Sequence, residues 1–242
     1  MRGLILAGGT GSRLRPLTLV TNKHLLPIWN KPMIYYPIEA LKSAGITDIM
    51  VVTGTSHAGD IFSLLGSGKD FGVKFTYRVQ DEAGGIPSAI GLAEDFVGDE
   101  KFISINGDNI IFESLKGFAE EFENDGEEAR IILYKGTREE AKKSGVAVME
   151  GDRVTDLVEK PDNPPSDLIS IGIYMYSPSV FDIIRGLNPS ARGETEITDV
   201  NRSFLKRGSL KASMLKGKWL DAGDFSDLLH ANVETKKLEE EK

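Results

Sequence analysis

The sequence predicts an α/β fold in which helices cover both faces of a mixed but mainly parallel sheet. Through the first half, short β-branched or apolar runs alternate with amphipathic stretches, and this β-α-β-α rhythm is typical of a parallel sheet between two helical layers. At 242 residues, the chain is long enough for one large domain with its own core. Ligands of such sheets bind at the carboxyl ends of the strands.

The first half of the chain predicts a Rossmann-like three-layer arrangement. Runs rich in Ile, Val and Phe predict strands at 3–7, 48–54, 75–80, 101–107 and 130–136. Apolar residues at helical spacing predict helices at 33–44, 61–65, 88–96 and 113–124. We therefore expect residues 1–136 to form one structural half.

The pattern changes after Gly136. Residues 146–160 predict two strands around Gly151-Asp152, a dipeptide typical of hairpin turns. Further strands are predicted at 169–177 and 210–220, and helices at 178–187, at 197–206 and from Asp224. No linker separates the two halves, so we expect 137–242 to extend the same sheet and to add a small subdomain to a single domain, 1–242.

The composition excludes several classes of protein. With 37 Asp and Glu against 29 Lys and Arg, the formal net charge is −8, which disfavours nucleic acid or an anionic membrane as a partner. Cysteine is absent and the three histidines are scattered, so disulfides, thiolate metal sites and a catalytic thiol are excluded. The apolar stretch at the N-terminus is too short for a secretory signal or a membrane span, and we expect a cytoplasmic protein.

A glycine-rich loop follows the first predicted strand. Three of the four residues at 8–11 are glycines, which lets the main chain approach phosphate oxygens closely. The segment does not match the dinucleotide motif GxGxxG, and Pro16 interrupts the helix that this motif requires. No Gly-Lys-Ser/Thr of a Walker A loop follows. A phosphate-binding loop is favoured, with a simple tight turn as the alternative.

Six ordered motifs resemble those of the sugar nucleotidyltransferases, and most closely those of the glucose-1-phosphate thymidylyltransferases. They are AGGTGSRLRPLT at 7–18, NKHLLPI at 22–28, NGDNI at 106–110, VEKP at 158–161, GETEITDVN at 193–201 and WLDAGD at 219–224. The resemblance implies an enzyme that uses a nucleoside triphosphate (dTTP favoured, UTP the alternative) and glucose 1-phosphate. It assigns nucleotide binding to 1–136, and sugar-phosphate binding and a C-terminal helix to 137–242.

The resemblance assigns a first set of residues to the nucleotide: Leu6, Ala7, Gly8, Gly9, Thr10, Gly11, Arg13, Lys23, Gln80, Gly85 and Asp108. Arg13 can hold two phosphate oxygens with its planar fork, and Lys23 supplies a compact charge at the α-phosphate. Either cation, taken alone, could be an ordinary surface charge. Gln80 can donate to O4 and accept from N3–H of a pyrimidine.

Two positions near the predicted nucleotide site depart from the family pattern. His24 stands where glutamine is common in the thymidylyltransferases, and it receives no role. Residues 85–89 are Gly-Ile-Pro-Ser-Ala where that family has Gly-Leu-Ala-Gln-Ala. The second departure lies beside the nucleobase and leaves the base preference open.

Asp108 and Asp221 are candidate ligands of magnesium (Mg2+), the cofactor that the resemblance implies. Asp108 follows an apolar predicted strand, and Asp221 lies in Trp219-Leu220-Asp221. Carboxylate oxygens are the hard ligands that Mg2+ prefers, although either aspartate alone could be a turn or helix-cap residue. We expect both side chains to converge on one ion at the edge of the sheet.

The resemblance assigns a second set of residues to the sugar phosphate: Asn109, Gly145, Glu159, Lys160, Tyr174, Glu194 and Thr195. Gly145 lets the chain pass close to the ring, Glu159 accepts from sugar hydroxyls and Lys160 pairs with the phosphate. Without the motifs, Glu159-Lys160 would be an ordinary charged pair and Tyr174 an ordinary sheet aromatic. The implied catalytic set is Arg13, Lys23, Asp108 and Lys160.

The implied reaction is an in-line displacement at the α-phosphorus by a sugar phosphate oxygen, which requires positioning and charge neutralisation but no covalent intermediate. A non-catalytic nucleotide-sugar-binding subunit is the alternative, although the chain retains the loop, both cations and both aspartates. Full-length relatives carry a further helical segment for subunit contacts and an effector site. This chain ends about twenty residues after Asp221, so we expect a short form, a monomer or homodimer without that site.

Overall fold

The computed structural model describes residues 1–82, 84–190 and 193–241. The strands in this part of the chain are β1 Arg2–Ala7, β2 Pro27–Ile28, β3 Lys31–Pro32, β4 Asp48–Gly54, β5 Lys74–Gln80, β6 Phe102–Asn106, β7 Ile110–Ile111, β8 Ala129–Lys135, β9 Gly145–Glu150, β10 Arg153–Glu159, β11 Leu168–Tyr176, β12 Leu210–Met214 and β13 Trp219–Leu220.

The helices in the described ranges alternate with these strands. They are α1 Tyr35–Ser43, α2 Ala58–Leu65, α3 Ile86–Gly91, α4 Glu94–Val97, α5 Lys116–Asn124, α6 Arg138–Lys143, α7 Val180–Arg185, α8 Ile197–Arg207 and α9 Phe225–Glu240. Short 3-10 turns occur at Ser12–Leu14, Leu17–Leu19, Lys23–Leu25 and Lys69–Phe71. Among these helices, none has the length and apolar character needed to span a membrane.

The main sheet confirms the predicted α/β fold class. Its strand order is β10-β9-β11-β6-β1-β4-β5, with β8 paired to β11 and β12 paired to β8. Strands β6, β1, β4 and β5 are parallel neighbours, whereas β11 is antiparallel to β6, β8 and β9. The carboxyl ends of the four parallel strands therefore meet at one edge, where ligands of such sheets bind.

Two apolar clusters cover the two faces of the sheet. In β1, Ile5 and Ala7 belong to one cluster, while Leu4 and Leu6 belong to the other. This division follows from the alternation of side chains along a strand. Because helices cover both faces, β1 is apolar and buried from Leu4 to Ala7, as expected for a buried parallel strand.

A third apolar cluster lies under the glycine-rich loop. It joins the first 3-10 turn, the β7–β13 pair and helix α9 through Leu14, Leu26, Ile28, Met33, Tyr36, Ile110, Leu220, Ala222 and Ala231. Leu14 and Ile110 are fully buried in it. This packing holds the loop after β1 against the segment that carries Asp221.

The prediction of one continuous strand at 210–220 is wrong. Residues Leu210–Met214 pair with β8 in the main sheet, whereas Trp219–Leu220 pair with β7 in a separate two-stranded sheet. The chain turns between them because the backbone N–H groups of Lys216 and Gly217 donate to the Glu113 carboxylate at 2.7 and 2.6 Å. The predicted helix at 88–96 is likewise divided, into α3 and α4.

Candidate active site

The loop after β1 lies at the carboxyl ends of β1, β4, β5 and β6. A Cβ atom at Gly8 would lie 3.0 Å from Gln80 Oε1 and 3.5 Å from the backbone nitrogen of Gly54, so glycine permits the approach of these neighbouring strand ends. Gly11 has φ +62°, and its carbonyl accepts from Thr18 Oγ1 at 2.7 Å. The loop is therefore held by contacts on both sides while its backbone remains accessible.

A cavity of about 310 Å3 opens beside this loop. It is lined by several of the residues predicted to bind the nucleotide or the sugar phosphate, namely Leu6, Gly8, Gly9, Thr10, Lys23, Gln80, Gly85, Asp108 and Glu194. We call it the nucleotide cavity. A second cavity, of about 290 Å3, shares the loop, Lys23 and Gln80 with it and is also lined by Arg15, Ser56 and His57.

Lys23 and Asp108 form an ion pair inside the nucleotide cavity, and their side chains are 10% and 19% exposed. Asn22 precedes the 3-10 turn that carries Lys23 and accepts the backbone N–H of His24 at 2.9 Å. Burial by itself would raise the pKa of Asp108. The charge of Lys23, together with His24 and hydrogen bonds, outweighs burial and brings the pKa of Asp108 to about 2.

Asp221 reaches the same place from the other end of the sequence. The antiparallel pairing of Leu220 with Ile110 brings Asp221 next to the turn that carries Asp108. Burial raises the pKa of Asp221 to about 7, with a further contribution from the negative charge of Asp108 and an opposing one from Lys23. The two carboxylates are thus close enough to repel each other, which is an environment that favours a bound cation.

The donor set fits a divalent metal of the oxygen-binding kind. Within the described ranges, no group of three or more His, Cys, Asp and Glu side chains is arranged to hold a metal ion. A pair of carboxylates that leaves other coordination positions to phosphate and water is the usual protein contribution to a Mg2+ site. Asp108 and Asp221 form such a pair, although only Asp108 lines the nucleotide cavity, whereas Asp221 lines a separate cavity with Tyr134 and Trp219.

Arg13 lies beside Asp221 and not among the residues that line the nucleotide cavity. A Cβ atom at Gly223 would be 2.9 Å from Arg13 Nη2 and 3.0 Å from Asp221 Oδ2, and the guanidinium is exposed. Arg15, two residues further on, lines the second cavity together with Lys23. Sequence reasoning did not single out Arg15, although it lies within the same RLRPLT segment.

The loop at 84–85 closes the nucleotide cavity against the segment at 194–195. Thr195 donates to the Gly84 carbonyl from its backbone N–H at 3.1 Å and from Oγ1 at 2.7 Å. Gly85 has φ +88°, and a Cβ atom there would overlap the Thr195 carbonyl. Gln80 ends β5 beside this loop, and its buried Nε2 has no hydrogen-bond partner among the described residues.

Gly145, Glu159 and Lys160 lie together at the open end of the β9–β10 pair. Glu159 pairs with Gly145 across the strands, and its carboxylate accepts a hydrogen bond from Thr198 Oγ1. Lys160 has φ +42°, and its Nζ lies 3.4 Å from Glu159 Oε1. Thr198 is a further polar residue of this group that the sequence analysis did not identify.

Tyr174 and Asn109 are both buried. Burial raises the pKa of Tyr174, with further contributions from the negative charges of Glu159 and Asp108. Asn109 is buried, and its Oδ1 accepts from the indole N–H of Trp219 at 2.5 Å. The Asn109 side chain therefore ties the turn after β6 to β13, next to Asp221.

His24 is a buried neutral residue beside the ion pair. Burial, with the neighbouring charge of Lys23, lowers the pKa of His24 to about 3. Its Nδ1 lies 2.7 Å from Asn22 Oδ1, and because an amide oxygen only accepts, Nδ1 carries the proton. A Cβ atom at Gly107 would lie 2.7 Å from the imidazole, so glycine there allows the ring to pack against the turn of Asp108.

The fold is a mainly parallel α/β sheet with a glycine-rich loop at the carboxyl ends of its strands, and comparison with known proteins identifies its family. The model of the family described as Nucleotidyl transferase matches residues 2–238. The chain belongs to this family, and the predicted membership is confirmed.

Several relatives resemble the chain over nearly its whole length. The low-salt glycan biosynthesis nucleotidyltransferase Agl11 of Haloferax volcanii is 46% identical over 234 residues, which are 96% of this chain but 65% of that protein. A glucose-1-phosphate thymidylyltransferase of Mycolicibacterium smegmatis is 41% identical over 245 residues, covering 99% of this chain and 83% of that enzyme. This chain therefore spans less than two thirds of the length of Agl11.

Solved structures give the same result for the fold. The crystal structure of a Bacillus anthracis protein assigned as a glucose-1-phosphate thymidylyltransferase, in complex with sucrose, has a TM-score of 0.92 and 50% identity, covering 96% of this chain and 94% of that chain. A UDP-glucose pyrophosphorylase complexed with UDP-glucose has a TM-score of 0.85 and 28% identity, covering 98% of both chains.

Proposed function

We propose that the protein transfers a nucleotidyl group from a nucleoside triphosphate, preferentially dTTP, to glucose 1-phosphate, forming dTDP-glucose and pyrophosphate. The observation that carries this proposal is the ion pair of Lys23 with Asp108 beside the glycine-rich loop, in the cavity that Gln80 also lines, with Asp221 brought next to the turn of Asp108 by the pairing of Leu220 with Ile110. The names of the M. smegmatis and B. anthracis relatives support the choice of glucose 1-phosphate and a thymidine nucleotide.

The nucleotide is proposed to bind in the half formed by 1–136. The backbone of the glycine-rich loop faces the phosphates, Lys23 neutralises charge at the α-phosphate, and Arg13 and Arg15 lie at the outer phosphates. Gln80 recognises the O4 and N3 edge of the pyrimidine. Bound Mg2+, held by Asp108 and Asp221, would offset charge on the departing pyrophosphate.

The sugar phosphate is proposed to bind in the half formed by 137–242. Glu159, held by Thr198, accepts hydrogen bonds from ring hydroxyls, and Gly145 leaves room for the ring beside it. Lys160 pairs with the sugar phosphate, whose anionic oxygen attacks the α-phosphorus. The nucleophile is already charged, so the residues of the site need only hold and orient the two substrates.

A UTP-dependent enzyme of the same class is the second candidate. The structural similarity to a UDP-glucose pyrophosphorylase favours it, and the edges of thymine and uracil that a Gln80 amide can contact are identical. The thymine methyl group is the difference, and one buried methyl contributes about 0.8 kcal/mol, or roughly fourfold. We therefore expect both nucleotides to be accepted with glucose 1-phosphate.

A matrix of four nucleoside triphosphates against several sugar 1-phosphates, read by pyrophosphate release, tests the proposal. The expected result is turnover with dTTP and UTP, differing by less than about a hundredfold, since only one methyl distinguishes them. A larger preference would contradict this description of the base pocket. Tight nucleotide-sugar binding without pyrophosphate release for any pair would instead indicate a regulatory subunit and overturn the catalytic proposal.

A further inference from the structure

We propose that Lys23 acts as a stand-in for the metal in the nucleotide-free protein. Its ammonium group forms an ion pair with the Asp108 carboxylate. A divalent cation binds Asp108 only after Lys23 has left this carboxylate to pair with a nucleotide phosphate. This inference rests on the proposed function, because it takes Asp108 and Asp221 as metal ligands and Lys23 as a phosphate ligand. It adds an order of binding: metal together with or after nucleotide.

The ion pair between Lys23 and Asp108 is largely buried. Lys23 Nζ contacts Asp108 Oδ2 directly, with both side chains largely shielded from water. A buried charge that loses its partner is strongly destabilised, because solvent cannot replace the lost interaction. A metal ion that binds Asp108 must therefore displace this ammonium group from the one direct ion-pair partner that it has among the described residues.

Asp221 is not paired in this way. No lysine or arginine in the described part of the chain forms an ion pair with Asp221, although the residue is partly buried and follows the strand that pairs with Ile110 beside the turn of Asp108. Its Oδ1 accepts only the backbone N–H of Ala222, at 2.9 Å. One of the two candidate ligands is thus available, whereas the other is blocked by Lys23.

Lys23 lies between the nucleotide cavity and the second cavity. Lys23 lines both the nucleotide cavity and the second cavity, and both contain the glycine-rich loop that the phosphates are proposed to contact. A phosphate oxygen there offers the ammonium group a new anionic partner within reach of its flexible stem. When Lys23 pairs with the phosphate and not with Asp108, the Asp108 carboxylate becomes accessible to the metal. Nucleotide binding and metal binding therefore strengthen each other.

Titration of the nucleotide-free protein with Mn2+ tests this inference without catalysis. Binding is measured as the loss of the electron paramagnetic resonance signal of the free ion. Lys23→Met keeps the length of the side chain and removes its charge. We expect it to bind Mn2+ about tenfold more tightly than the wild type, a change within the usual range of coupling between sites. Lys23→Gln is the second variant, for use if the first does not fold.

The matched control is Lys31→Met, which removes a lysine that pairs with Glu39 and Glu239 and lines neither of the two cavities. It should leave Mn2+ affinity unchanged. Adding Asp108→Asn to Lys23→Met should abolish the gain, which assigns the gain to this carboxylate. Equal Mn2+ affinity of folded Lys23 variants and the wild type would overturn the inference. Pyrophosphate release by the wild type is a separate assay, so failure of the proposed function is distinguishable.

Discussion

Lys23 and Asp108, 85 positions apart in the sequence, form a buried ion pair beside the glycine-rich loop. Two local features bring them together. Asn22 caps the turn that carries Lys23, and the backbone N–H of Gly107 donates to the Leu6 carbonyl at 2.8 Å, which holds the turn of Asp108 against the end of β1.

Asp221→Asn is expected to make the metal-free protein more stable at neutral pH. Burial and Asp108 raise the pKa of Asp221 to about 7 in the folded state, whereas an unfolded aspartate titrates near about 3.9. Between these values the folded state holds a proton that the unfolded state releases, so the stability of the wild type falls as pH rises. Asparagine does not titrate, so the variant does not lose stability in this way as pH rises.

Thermal unfolding in a buffer with a metal chelator measures the effect. At pH 7.5 we expect Asp221→Asn to melt at least about 2 °C above the wild type, the shift that roughly 1 kcal/mol produces in a domain of this size. The difference should shrink as pH falls toward 4. A variant that melts below the wild type at pH 7.5, or a gap that does not depend on pH, would contradict the assignment.

His24→Gln is expected to improve stability in mild acid. The pKa of His24 is lowered to about 3 in the folded protein, while an unfolded histidine titrates near about 6.5. Below pH 6.5 the unfolded state takes up a proton that the folded state excludes, so stability is lost as pH falls. At pH 5 this loss is about 2 kcal/mol, and glutamine, which does not titrate, avoids it.

Urea unfolding at pH 8 and pH 5 tests His24→Gln. At pH 8 histidine is neutral in both states, so the difference in the free energy of unfolding there measures the effect of the substitution on packing. The free energy of unfolding of the variant, relative to the wild type, should be higher at pH 5 than at pH 8. If the relative stability is the same at both values, His24 is not excluded from protonation in the folded state.

Gly85→Ala is expected to weaken both the fold and nucleotide binding. A Cβ atom at Gly85 would overlap the Thr195 carbonyl, and φ is +88°. Gly208→Ala is the matched control, since Gly208 has φ +72° but no atom within 4 Å of its added Cβ. The control should lose about 1–2 kcal/mol from backbone strain alone, and Gly85→Ala should lose about 1–3 kcal/mol more from the steric overlap.

Urea unfolding of the two glycine variants measures the stability difference, and the KM for the nucleotide measures the effect on the site. Gly85→Ala should raise KM for the nucleotide, while Gly208→Ala should not. Equal losses of stability in both variants would indicate that the contact between the 84–85 loop and Thr195 is not maintained in solution.

The longer strands of the main sheet were predictable from the sequence because each contains a run of apolar or β-branched residues. The predicted ranges for β1, β4, β5, β6 and β8 agree with the structure within about a residue or two. The two-residue strands β2, β3 and β7 were not predicted, because two residues carry no periodicity, and β13 was predicted only as the end of a longer strand. Helix α6 was also not predicted, although Thr137 and Glu140 form a capping box, whose pattern is visible in the sequence.

The motifs indicated which residues belong to the site, but not how those residues contact one another. Pairing of β13 with β7, which brings Asp221 to Asp108, is set by tertiary packing around Leu220 and Ile110. The ion pair of Lys23 with Asp108 and the direction of Arg13 toward Gly223 also depend on side-chain placement across distant segments. Local sequence patterns do not encode such contacts.

The convergence of Asp108 and Asp221 on one metal-dependent reaction is the central claim, and turnover of two isosteric variants tests it. Asp108→Asn and Asp221→Asn keep the shape of each side chain and remove its charge. Asp70→Asn, at an exposed aspartate of the turn Lys69–Phe71, is the control. All three variants should give the circular dichroism spectrum of the folded wild type.

The decisive measurement is pyrophosphate release from dTTP and glucose 1-phosphate at limiting Mg2+. Each of the two site variants should turn over at least about a hundredfold more slowly than the wild type, as expected for loss of one electrostatic stabiliser of a transition state. The control should match the wild type. Near-normal turnover by folded Asp108→Asn or Asp221→Asn would contradict the shared metal site.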